Sequence, residues 1–268
     1  MNGGADLTPL LSFLLQRGLT ISRREPFEKT LFSRISGKEG KVRFLALFSS
    51  YTFRIFLRDV ISMRRGIRPE RFGLFIEKEV VERYLDEAVA LGLLEKKGDE
   101  TFDFPHDEIT DIGDTFEFHL CQTLRKMGYP ATWGVKFDAV SSGGDFDLVG
   151  LAGTSLFYIE AKTSPPKHIE KNEIVSFLER TKALKPDLAI FLNDTHLRMK
   201  DKLVPLMEES LEEASGEPHR MERVEREIFT LRGRLFVTNT KRDAGVNLRV
   251  CFNRFFEERW KESMPFLK

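Results

Sequence analysis

Apolar positions along the middle of this chain change period in a way that lays out its elements. Phe116, Leu120, Leu124 and Met127 recur at helical spacing and stop at Gly128, so an amphipathic helix opens at Asp114-Thr-Phe-Glu117 and ends there. Thr132 to Asp138 reads as a strand. From Phe146 to Lys162 the period is two, with β-rich runs on both sides of Ala152-Gly-Thr-Ser155. The pattern predicts a hairpin whose turn centres on Gly153-Thr154, with Gly at the first central position as a type II′ turn prefers. Glu170 to Leu184 returns to helical spacing through Ile174, Val175, Phe177, Leu178 and Thr181, and Leu188 to Leu192 is a buried strand. An acidic helix near 197–214 and a strand near Arg234 to Asn239 follow. The charged stretch from Glu208 to Glu227 reads as a solvated helical face, and Phe252 to Trp260 as a packing helix.

The hairpin register fixes which polar side chains meet. Paired residues sum to 307, so Asp147 lies opposite Glu160 and Asp145 opposite Lys162, with directly paired Cβ atoms roughly 4.5–5.5 Å apart. Side chains alternate across a strand, so these four share one face, while Phe146, Leu148, Phe157, Ile159 and Ala161 share the other. One face is expected to be core and the other a charged cluster. Two carboxylates that close repel unless a cation sits between them. Oxygen ligands without thiolates or clustered histidines point to magnesium or manganese. The competing structural reading is a pair of cross-strand ion pairs on a solvated sheet face.

These residues resemble the PD-(D/E)XK nuclease superfamily, the restriction-endonuclease-like fold. Asp147, Glu160 and Lys162 match its Asp, Glu and Lys, and Gly143-Gly-Asp-Phe146 resembles its lead-in, although the Pro before the acid is missing. The resemblance covers roughly residues 110 to 195. It implies an α/β fold with a restriction-endonuclease-like mixed sheet flanked by helices, in the order helix, three strands, helix, strand. It further implies metal-dependent phosphodiester hydrolysis in nucleic acid, DNA before RNA. Asp147 and Glu160 would bind Mg2+ or Mn2+, the Ala161 carbonyl would add a ligand, and Lys162 would position water and offset charge at the phosphate. Glu117 corresponds to an acid that many members point at the metal, yet Asp114-x-x-Glu117 is also a capping box. Many members are dimers, so a homodimer or a protein partner is a further expectation.

Pro165 and Pro166 stiffen the exit from the second hairpin strand, and Lys167 and His168 stand where substrate phosphates would meet the mouth of a site, or simply form a polar loop. Cys121 and Cys251 lack metal-ligand spacing and read as small core residues. No apolar run spans a membrane and no leader pattern opens the chain, so a cytoplasmic protein without membrane contact is expected. Only two Gln accompany 31% charged residues, a composition leaning toward a thermophile.

The zero net charge hides two blocks. Arg17 through Arg71 holds 14 Lys/Arg against 5 Asp/Glu; Phe72 through Glu117 holds 4 against 14. A nucleic-acid-facing surface produces such asymmetry, and so do two faces that pair with each other. The rings interleaved in the basic block, among them Phe44, Phe48, Phe53 and Phe56, fall in a dense apolar run of helical length and read as core. Glu79 to Leu94 is a helix entering a strand, and Glu95 to Phe104 a charged hairpin, an order that loosely resembles the end of a winged-helix domain. The expected division is a helical, winged-helix-like module over 1–105 and a nuclease-like domain over 106–268. A nuclease fold that binds or assembles without cleaving, and a winged-helix transcription regulator, are the alternative functions.

Overall fold

The computed structural model describes residues 6–73, 75–98, 100–138, 140 and 144–263. Asp99 and Gly143, which the sequence reading put in the hairpin tip and in the turn before Asp145, lie outside them. In chain order the elements are α1 (Thr8–Gln16), β1 (Ile21–Arg24), α2 (Lys38–Phe48), α3 (Tyr51–Met63), α4 (Lys78–Ala90), β2 (Glu95–Gly98), β3 (Thr101–Asp103), α5 (Gly113–Lys126) and β4 (Ala131–Phe137). There follow β5 (Phe146–Ala152), β6 (Ser155–Lys162), α6 (Lys171–Leu184), β7 (Leu188–Asn193), α7 (Leu203–Ser215), β8 (Glu222–Glu225), β9 (Ile228–Leu231), β10 (Leu235–Asn239) and α8 (Ala244–Ser263).

The chain forms two compact units, one over Glu25–His119 and the other over the residues up to Arg24 and from Leu120 onward. This differs from the expected boundary near 105 in two respects. The first helix and strand join the second unit, because β1 pairs antiparallel with β4 and extends its sheet, and Leu10 and Leu14 of α1 lie in its core. The division itself falls inside α5.

In the first unit, the helices bury Phe44, Phe48, Phe53 and Phe56, so the rings of the basic block are core, as their spacing implies. Arg54 is also buried, donating from Nη1 to the Phe48 and Ser49 carbonyls at the end of α2. The two charge blocks pair with each other: Arg34 with Glu108, Arg43 with Glu87, Arg64 with Asp107, and Arg65 with Asp103 and Asp107. Those arginines therefore do not form a free nucleic-acid-facing surface; complementary sequence blocks have folded onto one another. Behind α4, β2 and β3 make the expected charged hairpin, and Ile67 adds an isolated bridge to Phe102.

In the second unit, an eight-stranded mixed sheet runs in the order β1-β4-β5-β6-β7-β10-β9-β8. The pairs β6/β7 and β7/β10 are parallel and the rest antiparallel. The fold class is α/β with helices flanking a large mixed sheet, and α5, β4, β5, β6, α6, β7 follow the order that the resemblance implies. Besides β1, two strands were missed at sequence level: the charged stretch from Glu208 leaves helix at Ser215 and forms β8 and β9, and Ile228, Phe229 and Thr230 of β9 are buried.

The hairpin register is the predicted one. Leu148 pairs with Ile159, Gly150 with Phe157 and Ala152 with Ser155, and Gly153 takes φ 65° in the turn. The simple picture of one apolar and one charged face needs correction. Val149, Leu151, Leu156 and Tyr158 share the face of Asp147 and Glu160, and all four are core with Ile174, Phe177 and Leu184 of α6 and with Met207 of α7. Helix α6 covers that face, so the polar residues are confined to the strand ends. Both faces of these strands are buried, as a sheet clad by helices requires.

Candidate active site

The site forms where β5 and β6 stop pairing. The ladder is regular up to Leu148 and Ile159, and on β4 Gly134, between the Trp133–Leu148 and Val135–Phe146 pairs and so opposite Asp147, takes φ 55°. Past this point the Ala161 N–H donates to Asp147 Oδ2 at 2.7 Å, in place of a backbone carbonyl. Backbone N–H and C=O of one strand residue point to the same side, so the Ala161 carbonyl also faces the gap that Asp147 occupies.

Glu160 is fully buried and its carboxylate is crowded with donors. Arg180 Nη2 lies 2.6 Å and Lys162 Nζ 2.8 Å from Oε1, and the Tyr158 hydroxyl donates to Oε2. Arg180 also donates from Nε to the Tyr158 oxygen at 2.9 Å, so one guanidinium holds both side chains. Lys162 is a quarter exposed and reaches Glu173 of α6 at 3.8 Å. Behind it, the Asn193 amide donates to the Lys162 and Ser164 carbonyls at 3.0 and 2.8 Å, and the Asp194 N–H donates to Lys162 O at 2.7 Å, fixing the end of β6.

The charge states follow from these contacts. Burial pushes the Asp147 carboxyl well above the usual carboxylate range and Glu160 adds to the rise, with Lys162 and Arg180 opposing it incompletely. Burial alone would raise Glu160 as well, but Lys162, Arg180 and the Tyr158 hydroxyl outweigh it and hold Glu160 below its ordinary value. Burial works against the Lys162 ammonium, yet Glu160 and Asp147 overcome that and raise it, so Lys162 stays protonated at neutral pH. Burial, then the two carboxylates, push the Tyr158 phenol far up.

An ionised carboxylate offers about four lone-pair sites. Glu160 has three of them occupied and one left on Oε2; Asp147 has one occupied. Among the described residues no group of three or more His, Cys, Asp or Glu gathers to make an all-protein cage. Two carboxylates and a carbonyl instead fit magnesium, which keeps much of its water and takes one or two protein carboxylates. The unrelieved burial of Asp147 is what a cation would relieve.

Of the expected residues, Asp147, Glu160, Ala161 and Lys162 come together. Asp145 precedes β5, half-buried, and Lys162 turns to Glu160 rather than to it, because the strands have parted before that pair is reached. Glu117 is half-buried in the first two turns of α5, in the first unit. Lys167 and His168 are exposed on the short turn Pro166–His168. Two residues that contact Glu160 were not anticipated. Tyr158 was legible from parity, two positions before Glu160. Arg180 was legible as a charge on the buried stripe of α6, three residues after Phe177 and four before Leu184.

No family model and no curated protein matches the chain. Among solved structures, it is similar to Can2 from Sulfobacillus thermosulfidooxidans in complex with cyclic tetra-adenylate, at 19% identity over 67% of this chain and 50% of that one, with a TM-score of 0.42. It is also similar to the protein VC1899 from Vibrio cholerae, at 10% identity over 94% of this chain and 60% of that one, with a TM-score of 0.48. The chain spans about half to three fifths of the length of those structures.

Proposed function

We propose that the second unit is a divalent-metal-dependent nuclease that hydrolyses phosphodiester bonds in nucleic acid, DNA before RNA. The observation that carries this reading is the Asp147–Glu160–Lys162 set at the parting ends of two strands, with the half-buried Asp147 carboxyl pushed up by desolvation that Lys162 and Arg180 offset only in part. Asp147, Glu160 and the Ala161 carbonyl would hold Mg2+ or Mn2+, which when bound supplies a more acidic water and neutralises charge at the phosphate. Lys162, held as an ammonium by Glu160, is not a proton acceptor at neutral pH. Its role is to orient the attacking water and offset negative charge on the phosphate oxygens. Arg180 and Tyr158 hold the Glu160 carboxylate in place. The α4–β2–β3 portion of the first unit is read as winged-helix-like.

The test is a cleavage assay on labelled single-stranded, duplex, flap and junction DNA and on RNA, with magnesium, manganese or EDTA. Asp147→Ala should abolish cutting with the fold intact, and Lys162→Ala should keep metal binding while losing turnover. Full cleavage by Asp147→Ala would sink the assignment. One observation favours the second reading, a nuclease fold that binds without cleaving: Glu160 already has two protein cations beside it. Calorimetry separates the two, since a non-cleaving protein of that kind takes up neither magnesium nor manganese, whereas the nuclease binds one and loses it with Asp147.

A further inference from the structure

Lys162, Asn193 and Asn239 stand in one row across three neighbouring parallel strands, since Asn193 is the partner of both Lys162 and Asn239. Beyond the carboxyl ends of β7 and β10 in this row lie two cavities of about 310 and 440 Å³. They share Arg198 and Lys241 and so form one trough, lined by seven Lys or Arg side chains against two carboxylates, Asp201 and Glu227. Arg198, Arg226 and Lys241 are exposed and have no ion-pair partner among the described residues.

The trough is held in shape by buried polar side chains. Asn239, fully buried, donates to the Leu197 carbonyl at 2.8 Å and so fixes the loop that carries Arg198. Asn247, also buried, donates to Asn239 O at 2.6 Å, and Thr240 donates to Asp194 Oδ1 at 2.7 Å, which together pin the segment leading to Lys241. Glu227 accepts the Met199 N–H at 2.8 Å, tying the first loop to the β8–β9 turn, where Arg226 sits at φ 45°. Lys202 Nζ donates to the Lys167 carbonyl at 2.8 Å, linking the trough to the turn that leaves β6. Unpaired like charges held together this way repel one another, and an anionic ligand relieves that repulsion. Two strand spacings, about 10 Å, separate the row's two ends, Lys162 and Asn239.

We propose that this trough is a binding site for the phosphodiester backbone of a nucleic acid strand, with Arg198, Arg226 and Lys241 contacting successive phosphates beside the one at Lys162. The trough is basic and no Phe, Tyr or Trp is among its lining residues, so it reads backbone before sequence. It deepens the nuclease reading and rests on it only for the placement of the scissile phosphate.

The experiment uses the full chain carrying Asp147→Ala and a fluorescein-labelled single-stranded DNA oligonucleotide, with anisotropy read across a KCl series. The triple variant Arg198→Ala, Arg226→Ala, Lys241→Ala should weaken binding at least tenfold near 100 mM KCl. It should also flatten the slope of log K against log salt by about 2, from roughly 0.7 per lost single-strand contact. A matched triple on another exposed surface of this unit, Lys126→Ala, Lys182→Ala, Lys185→Ala, should change neither. Equal weakening by both triples, an unchanged slope in the first, or no binding by the parent would each overturn the proposal. In the cleaving background the trough triple should raise KM with kcat retained. A chain that never cleaves but still loses binding in the trough triple refutes the nuclease and leaves the trough; a chain that cleaves with KM unmoved does the reverse.

Discussion

Replacing Arg180 by Met keeps most of the side-chain volume and removes the guanidinium from a buried cluster. The donated hydrogen bonds to the Glu160 carboxylate and to the Tyr158 oxygen disappear. The first is charge-assisted and worth about 1.5–3 kcal/mol, the second about 0.5–1.5 kcal/mol. Glu160, with almost none of its side chain exposed, is left with Lys162 as its one cation contact. Breaking a buried pair in this way costs about 3–5 kcal/mol, which agrees with the hydrogen-bond sum and sets the expected loss. The loss should also depend on pH. In the parent, the Glu160 value is lowered by folding, so its stabilisation is present above the unfolded carboxylate range of about 4.3 and fades as pH falls through the lowered folded value. In the variant, burial outweighs one remaining cation and the folded value rises, so Glu160 opposes folding increasingly as pH climbs above that range. The difference between parent and variant should therefore be small near pH 4 and grow toward pH 8. Urea unfolding at several pH values measures it, with Glu160→Gln and the double variant closing a cycle. A loss under about 1 kcal/mol at pH 7.5 with no pH trend, or simple additivity in the cycle, would refute the description of Arg180 as the partner of Glu160; the threshold is the value of an exposed pair.

Asp147→Asn should stabilise the protein at neutral pH while removing activity. Folding raises the Asp147 value, so the parent loses stability as pH rises from the unfolded carboxylate range through the raised folded one, and the variant should lack that slope in thermal unfolding. Gly150→Ala should cost about 1–3 kcal/mol, because an added Cβ would sit 2.3 Å from Phe157 Cζ and 2.6 Å from the Pro130 carbonyl, and wild-type stability in a urea titration would contradict the register at that pair. Neither cysteine should react with a thiol reagent in the native state. Both are buried, and burial raises the Cys121 thiol to about 11 and that of Cys251 further, so rapid labelling of either without denaturant would contradict the packing.

The sequence by itself determined what is local. Period-two alternation and a Gly-containing turn set the β5–β6 register, because a slip of one residue would turn every side chain to the wrong face, and that register carried Asp147 to Glu160. The apolar runs likewise located α5, α6 and β7, and placed the Phe rings of α2 and α3 in a core. What only the tertiary structure decided depends on residues far apart in the chain. Strand β1 reads as a polar segment, ISRR, and is a strand because β4 offers it an edge over a hundred residues later. The basic and acidic blocks, which composition could not tell from a binding surface, meet through pairs 38 to 74 residues apart, as Arg43 does with Glu87. The face of Asp147 and Glu160 read in two dimensions as a charged cluster. It became largely core when α6 closed over it and brought Arg180 to Glu160, and burial there is what separates the two carboxylates, one held charged by its cations and the other pushed toward a proton.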